Sequence, residues 1–384
     1  MNYRTLIIAG YGSIGSSLFK FGQRELGLFE SVITIDKNPY KAPGCDGLNL
    51  ESVTGDIEDQ AFLKSLCQSV RRPAIFLNVA TGTDNVEIRK TLSDFDVAYI
   101  DSCASALPDK SECRYSRYMP YTLTKISTRY PHILCWGINP GLVEIMTRKL
   151  IAELGAEGSF DVTIFENDQL NTPWNGVRLA VGWSPEMLVE EMMLSPTFLF
   201  QQGMAWEGKA PGTQKITAFW EGEPVPSRIV GHEDIWNIGK LKPVDSARFV
   251  YALHRSVMDV FDGDPKEALN RLSVPEETVP VFGVEKVAVH VKRTDTQTER
   301  SVVWEVDHKS IWNTYRVNAV QYQTGKSLLL AVLLLQNSHY GKLPITACAS
   351  DLPMGSQDWS TLEAMMLGLD IKWKDAAYIN LHTS

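Results

Sequence analysis

The sequence predicts an α/β protein: a Rossmann-type parallel sheet domain, then a second α+β domain with a mostly antiparallel sheet. Three observations carry this. Strand-like and helix-like patterns alternate over residues 1–145, which argues for parallel strands joined by helices. "IIAGYGSIGSSLF" (7–19) reads as a strand, a glycine turn and a helix. Near residue 146 the rhythm changes and strand patterns take over. A chain of 384 residues is also too long for one ordinary core, so two domains are expected.

In the first domain "TLIIAG" (5–10), "SVITIDK" (31–37), "AIFLNVA" (74–80), "VAYIDSC" (97–103) and "HILCWG" (132–137) read as strands. "SIGSSLFKFGQRE", "DQAFLKSLCQSV" (59–70) and "NVEIRKTLSDF" read as helices between them. In the second domain, residues 146–315, "SFDVTIFE" (159–166), "KITAFWEGEPVP" (215–226) and "KVAVHVKRTD" (286–295) read as strands. "VDSARFVYALHRSVMDVF" (244–261) reads as a helix. Residues 316–384 are expected to pack back on the first domain. Within them "SLLLAVLLL" (327–335) is too short to span a bilayer and reads as a buried helix.

The composition, 44% hydrophobic and 22% charged, fits a soluble globular chain. A net charge of −9 argues against nucleic acid and is compatible with a cationic substrate. No basic stretch leads into an apolar run and a small-residue cleavage site, so no secretory signal or membrane partner is expected. The six cysteines (45, 67, 103, 113, 135 and 348) show no CxxC pair and no zinc spacing. Reduced thiols, no metal and a cytoplasmic location follow as expectations.

Gly10, Gly12 and Gly15, with Ser13 and Ile14 between the last two, form G-x-G-x-x-G. The first glycine permits a tight turn. The second lets a pyrophosphate approach the backbone, and the third lets helix and strand pack closely. The helix N-terminus then offers N–H groups and partial positive charge to phosphates. Asp36 follows Gly15 by 21 residues and ends the second strand. A carboxylate there accepts from ribose hydroxyls and repels a 2′-phosphate, so NAD is expected over NADP, with Lys37 softening the preference. A strand-end cap is the alternative role for Asp36.

Other candidate cofactor contacts lie at the later strand ends. They are Asn78 and Ala80 in "LNVATGTDN" (77–85), Asp101 and Cys103 in "YIDSCASALPD" (99–109), and Asn139 and Pro140 in "CWGINPGLVEIM" (135–146). Pro140 and Gly141 set a bend, and a purely structural turn is the other reading. In the second domain "TIFENDQ" places Glu166 at a strand end, and "VGWSPEMLVEE" carries Trp183, Glu186, Glu190 and Glu191. Glu186 and Glu190 are four apart and share a helix face. "IVGHEDIWNI" sets His232 beside Glu233 and Asp234 in a short polar break. A core tryptophan, a solvated acidic face and a structural histidine are the bland alternatives.

The ordered set "GYGSIG", "YIDSC", "GINPGLV", "IFENDQ", "WSPEMLVEE", "VGHEDI" and "AVQYQTGKSLLLAVL" resembles bacterial homospermidine synthase, a branch of the saccharopine-dehydrogenase-like enzymes. The resemblance runs over residues 4–340. It implies that NAD oxidises putrescine to an imine and that a second putrescine displaces ammonia. The bound NADH then reduces the new imine, with no net redox change. It also implies a homodimer. By position it makes Asn139 an active-site asparagine, Glu166 an acid contacting an amine, and Trp183 a ring facing cationic species. Glu191 becomes a second acid and His232 the active-site histidine. Two family acids are absent, where this chain has Gly82 and Ser105; Asp84 is a candidate replacement for the first. Their loss keeps a saccharopine-, opine- or imine-type dehydrogenase with net redox change open, as is a non-enzyme that retains the dinucleotide fold.

Overall fold

A computed structural model describes residues 2–40, 47–104, 126–172, 178–208, 212–337, 340–342, 345–376 and 379–382. The chain divides into two compact units. The first comprises Met1–Glu112, Arg117–Leu142 and Thr324–Ile371; the second comprises Cys113–Ser116, Val143–Gln323 and Lys372–Ser384.

The first unit holds a seven-stranded sheet. Its spatial order is Thr346–Cys348, His132–Leu134, Val97–Asp101, Ala74–Asn78, Thr5–Ala9, Ser31–Asp36 and Leu50–Thr54. All adjacent pairs are parallel. Every residue of Thr5–Ala9, Ala74–Asn78 and Val97–Asp101 is buried. This is why their sequences are continuous apolar runs rather than alternations. The direction of strand order reverses between Thr5–Ala9 and Ala74–Asn78, the switch point at which such sheets bind ligands. The apolar run at 327–335 lies in the helix Ala319–Gln336, whose Leu328–Val332 are fully buried. It packs on the helix Ser13–Phe21, where a Cβ on Gly325 would come 2.4 Å from the Phe21 ring. No helix among the described residues is long and apolar enough to cross a membrane.

The second unit holds a ten-stranded mixed sheet. Its main path is Lys374–Asp375, Glu299–Asp307, Val284–Arg293, Phe160–Asp168, Val244–Leu253, Glu223–Val230, Gln214–Trp220 and Ile379–His382. Phe198–Gln201 also pairs Val244–Leu253 and carries Met204–Glu207 beside it. Phe160–Asp168 and Val244–Leu253 run parallel, and the other pairs are antiparallel. One sheet face closes over Phe165, Ile216, Ala218, Trp220, Val250, Ala252, Ala288 and Val303.

Two expectations are corrected here. Residues 244–261 are not one helix: Val244–Leu253 is a strand, and only Arg255–Met258 is α-helical. The strand has hydrogen-bonded neighbours on both edges and is buried on both faces towards its end. Its apolar residues therefore carry no clear period of two, and Val244, Ala247 and Val250 imitate a helical stripe. Residues 215–226 are not one strand but a hairpin, turning at Glu221 and Gly222 with φ of +53° and +87°. Two successive positive φ values make the tight turn that matches strand twist.

Candidate functional site

In the first unit the glycine turn joins the strand Thr5–Ala9 to the helix Ser13–Phe21. Gly10 has φ +96°, and a Cβ there would lie 2.6 Å from the Ala80 amide nitrogen. A Cβ on Gly15 would lie 1.9 Å from the Gly10 carbonyl oxygen. Both glycines are demanded by backbone packing. Gly12 differs: it is exposed, and a Cβ there would meet nothing within 4 Å. Space beside the helix N-terminus is therefore open at Gly12, next to Ser13 and Ile14. The helix starts with no side-chain cap and no acid in its first turn. That polarity suits a diphosphate.

Asp36 closes this cradle. Its Oδ2 accepts the Tyr11 N–H at 2.9 Å and its Oδ1 accepts the Asn38 N–H at 2.8 Å. Each oxygen keeps further lone-pair capacity, so a strand-end cap and a ribose acceptor are compatible roles. Tyr11 stacks on Tyr40 with centroids 4.4 Å apart. This aromatic pair beside Asp36 follows no sequence motif.

The remaining strand ends form a buried network. Asn78 Nδ2 donates to Asn85 Oδ1 at 2.9 Å and to the Tyr99 hydroxyl at 3.2 Å, while its Oδ1 accepts the Ala80 N–H at 3.1 Å. Asn85 Nδ2 donates to Asp101 Oδ2 at 3.3 Å and to the Cys103 carbonyl at 3.1 Å. Asp101 Oδ1 accepts the Cys135 N–H at 2.6 Å. Asn78 and Asp101 are each 1% exposed, so these side chains shape the loops after their strands. Asn139 is half-buried and precedes Pro140 through a cis peptide bond. The Gly137 N–H donates to the Pro140 carbonyl at 2.6 Å, which ties the bend.

In the second unit Glu166 lies directly opposite Tyr251 on the parallel neighbour strand. The Tyr251 hydroxyl accepts Trp183 Nε1–H at 3.1 Å. Phe249, two residues back and on the same sheet face, meets Tyr251 edge-on at 6.0 Å. The His232 ring stacks on Phe249 at 4.3 Å and 14°. An aromatic line therefore runs from Trp183 to His232. Ser184 caps the helix Pro185–Val189, which continues as a π-helix over Glu190–Leu194 and buries Glu191. Wide turns of this kind recur at functional sites.

His232 is surrounded by acids. Its Nδ1 lies 3.0 Å from Asp234 Oδ1 and 3.7 Å from Glu233 Oε2. Glu191, His232 and Glu233 bring polar atoms within 4.8 Å of one another. Asp234 Oδ2 is buried without a hydrogen-bond partner. Burial alone would depress the imidazole pKa, but Asp234, Glu233 and Glu191 outweigh it and raise it from 6.5 to about 10. His232 is therefore an imidazolium at neutral pH. His290 is the opposite case, pushed down to about 4 by burial first and then by Arg248 and Lys292.

The stability contributed by a raised histidine pKa is fully present below 6.5 and is lost as pH climbs through about 10. Histidine ¹⁵N NMR should show His232 protonated and His290 neutral throughout the range from about pH 6 to 8. A His232 titration inside that range would refute the charge cluster.

The homospermidine synthase of Legionella pneumophila, solved in complex with NAD, matches this structure with a TM-score of 0.76 at 12% identity, covering 99% of this chain and 91% of its own. The L-Glu-forming saccharopine dehydrogenase of Saccharomyces cerevisiae gives 0.61 at 9% identity, covering 99% and 100%. No family model and no curated protein matches the sequence. The likeness shows the fold.

Structure also bears on the departures from the synthase pattern. Gly82 has φ +73°, a conformation that an acid adopts only with strain. Asp84 accepts the Val86 and Glu87 N–H groups at 3.0 and 3.1 Å. It is the N-cap of the helix Asn85–Leu92, a task that already engages its carboxylate. Ser105 lies outside the described residues.

Proposed function

We propose that the chain is an NAD-dependent enzyme acting on amines in the manner of homospermidine synthase. It would oxidise putrescine to an imine, pass the aminobutyl group to a second amine and reduce the product imine. The observation that carries this is the second unit's cluster of Glu191, Glu233 and Asp234 around one imidazolium, joined through Phe249 and Tyr251 to Trp183 and Glu166 on the same sheet face. Three carboxyl groups act on one imidazolium there, an acidic surrounding that suits a cationic diamine. Carboxylates hold ammonium groups through charge-assisted hydrogen bonds. An indole ring is the best aromatic partner for a cationic imine.

NAD, when bound, would accept a hydride from the amine-bearing carbon and return it to the product imine. Gly10, Gly12, Ser13, Ile14 and Gly15 would hold its diphosphate and Asp36 its ribose. The protein's own part is proton management. An ammonium group must lose a proton before its carbon can be oxidised, and Glu166 and Glu191 are the acceptors available for it. His232, already protonated, is no base at neutral pH. It suits the reverse task, giving a proton to departing ammonia and holding the acids in place.

Asp36→Ala is expected to weaken NAD binding by about 10-fold or more, since hydrogen bonds to a charged group contribute roughly 1.5–3 kcal/mol. NADP binding should change little, because the lost carboxylate repelled its 2′-phosphate. Equal losses for both, measured by titration calorimetry, would remove Asp36 from the ribose. The glycine at position 82 favours a second reading, an imine- or amino-acid-type dehydrogenase with net redox change. Incubation with putrescine and NAD, followed by mass spectrometry and NADH absorbance together, separates the two.

A further inference from the structure

Asp168, Glu285 and His308 form a buried ionisable cluster in the second unit. Asp168 and Glu285 are 1% exposed and His308 is 0% exposed. Asp168 and Glu285 lie directly opposite each other on antiparallel strands, and His308 opens the helix His308–Tyr315. Polar atoms of all three lie within 4.8 Å of one another. Two acids and a histidine invite a metal, but the hydrogen bonds do not allow one here. The Ala319 N–H donates to His308 Nδ1 at 3.0 Å, so Nδ1 carries the lone pair and Nε2 the proton. Nε2–H then donates to Asp168 Oδ1 at 2.9 Å, which leaves the ring no free lone pair for an ion. Asp168 Oδ1 also accepts the Leu170 N–H at 2.9 Å.

Two atoms are left over. Asp168 Oδ2 and Glu285 Oε2 are buried and lack a hydrogen-bond partner when both groups are carboxylates. Two facing anions in a dry interior repel and are poorly solvated. One proton between them removes both problems.

We propose that Asp168 and Glu285 share a single proton, with Glu285 the neutral donor, and that this pair with neutral His308 positions the Trp183 segment. The contacts form a closed circuit. A Cβ on Gly182, the residue before Trp183, would come 2.9 Å from Asp168 Oδ2. Asn318 Nδ2 donates to the Gly182 carbonyl at 2.8 Å, and Asn318 adjoins the Ala319 that fixes His308. Trp183 reaches the Tyr251 hydroxyl, whose strand adjoins that of Glu166 and Asp168. The titratable groups acting on Glu285 are Asp168 and Glu166 from the adjacent strand, with His308 and Tyr251 completing the cluster. Burial first, then the charges of Asp168 and Glu166, push its carboxyl well above the usual range. Deprotonating it would set two carboxylates against each other beneath Gly182.

The catalytic consequence rests on the reading of Trp183 as the wall of an amine site. The proton does not, and infrared spectroscopy of the full chain reads it without substrate. At pH ~7, well above the ordinary Glu pKa, wild type should show the carbonyl stretch of a buried protonated acid, and Glu285→Gln should lack it. Absence of that band in wild type, or its persistence in Glu285→Gln, overturns the shared proton. A stoichiometric metal bound by the purified chain and lost in Asp168→Asn would do so as well. For positioning, Glu285→Ala should lower kcat ~10-fold or more through misplacement of the segment. Glu285→Gln, a permanent donor, should restore it and flatten the alkaline limb of the pH profile. Equal behaviour of the Ala and Gln variants overturns the positioning role. Should no amine prove to be a substrate, the infrared result still decides the proton.

Discussion

Gly12→Ala is expected to leave the fold intact while weakening NAD binding about 100-fold, equivalent to the loss of roughly 3 kcal/mol. The conformation at Gly12, φ −77°, is open to alanine, and its Cβ would meet no protein atom within 4 Å. The added methyl would instead occupy the space through which a diphosphate reaches the helix N-terminus. Each N–H contact to a charged oxygen contributes roughly 1.5–3 kcal/mol, so displacing the phosphates by a methyl radius forfeits one or two. Gly15→Ala is the control with the opposite signature. Its Cβ would lie 1.9 Å from the Gly10 carbonyl oxygen, a backbone atom with no soft response. That substitution should lower the unfolding free energy by ~2 kcal/mol or more even without ligand. Thermal unfolding and calorimetry on both variants check this. A Gly12→Ala protein that binds NAD as tightly as wild type would exclude a phosphate cradle at this turn.

Trp183→Ala should reduce kcat/KM for a diamine about 30-fold. A desolvated cation over an indole is stabilised by ~2 kcal/mol, and that contact grows as the carbon becomes cationic. The variant also removes the Nε1–H donated to Tyr251, so Trp183→Phe is the informative partner. It keeps a ring and loses the hydrogen bond, and should fall between wild type and alanine. Glu191→Gln should cost a further 10- to 100-fold, from roughly 1.5–3 kcal/mol of charged hydrogen bonding. Because Glu191 also faces His232, the same variant should lower the His232 pKa from about 10. Steady-state kinetics that leave Trp183→Ala and Glu191→Gln at wild-type rates would remove the site from this face of the sheet.

How much of this was legible in the sequence depends on how local each signal is. The glycine turn and Asp36 were readable because strand, turn and helix are contiguous and each glycine answers one steric demand. Glu166, Trp183, Glu191 and His232 stand out in the sequence through the segments around them; the structure sets Glu166 inside the strand Phe160–Asp168, Trp183 just before the helix Pro185–Val189, Glu191 in its π-helical continuation and His232 at the N-cap of the helix Glu233–Gly239. Tyr251 does not stand out, because its strand is buried on both sides and its apolar spacing imitates a helix. Glu285 and His308 carry no local signal at all. Their meaning arises only when the antiparallel register sets Glu285 opposite Asp168 and the helix start brings His308 against it. The stacked Tyr11–Tyr40 pair is of the same kind. Gly82 was legible as a departure, and its left-handed backbone shows that the loop is built for glycine.

A single incubation separates redox-neutral amine transfer from net oxidation. The purified chain, putrescine and NAD are followed by absorbance and by mass spectrometry of the amines. Homospermidine and ammonia should accumulate in equal amounts while NADH stays at or below the enzyme concentration. NADH that accumulates in step with substrate oxidation, with no homospermidine formed, would contradict redox-neutral transfer and assign the site to a dehydrogenase with net redox change.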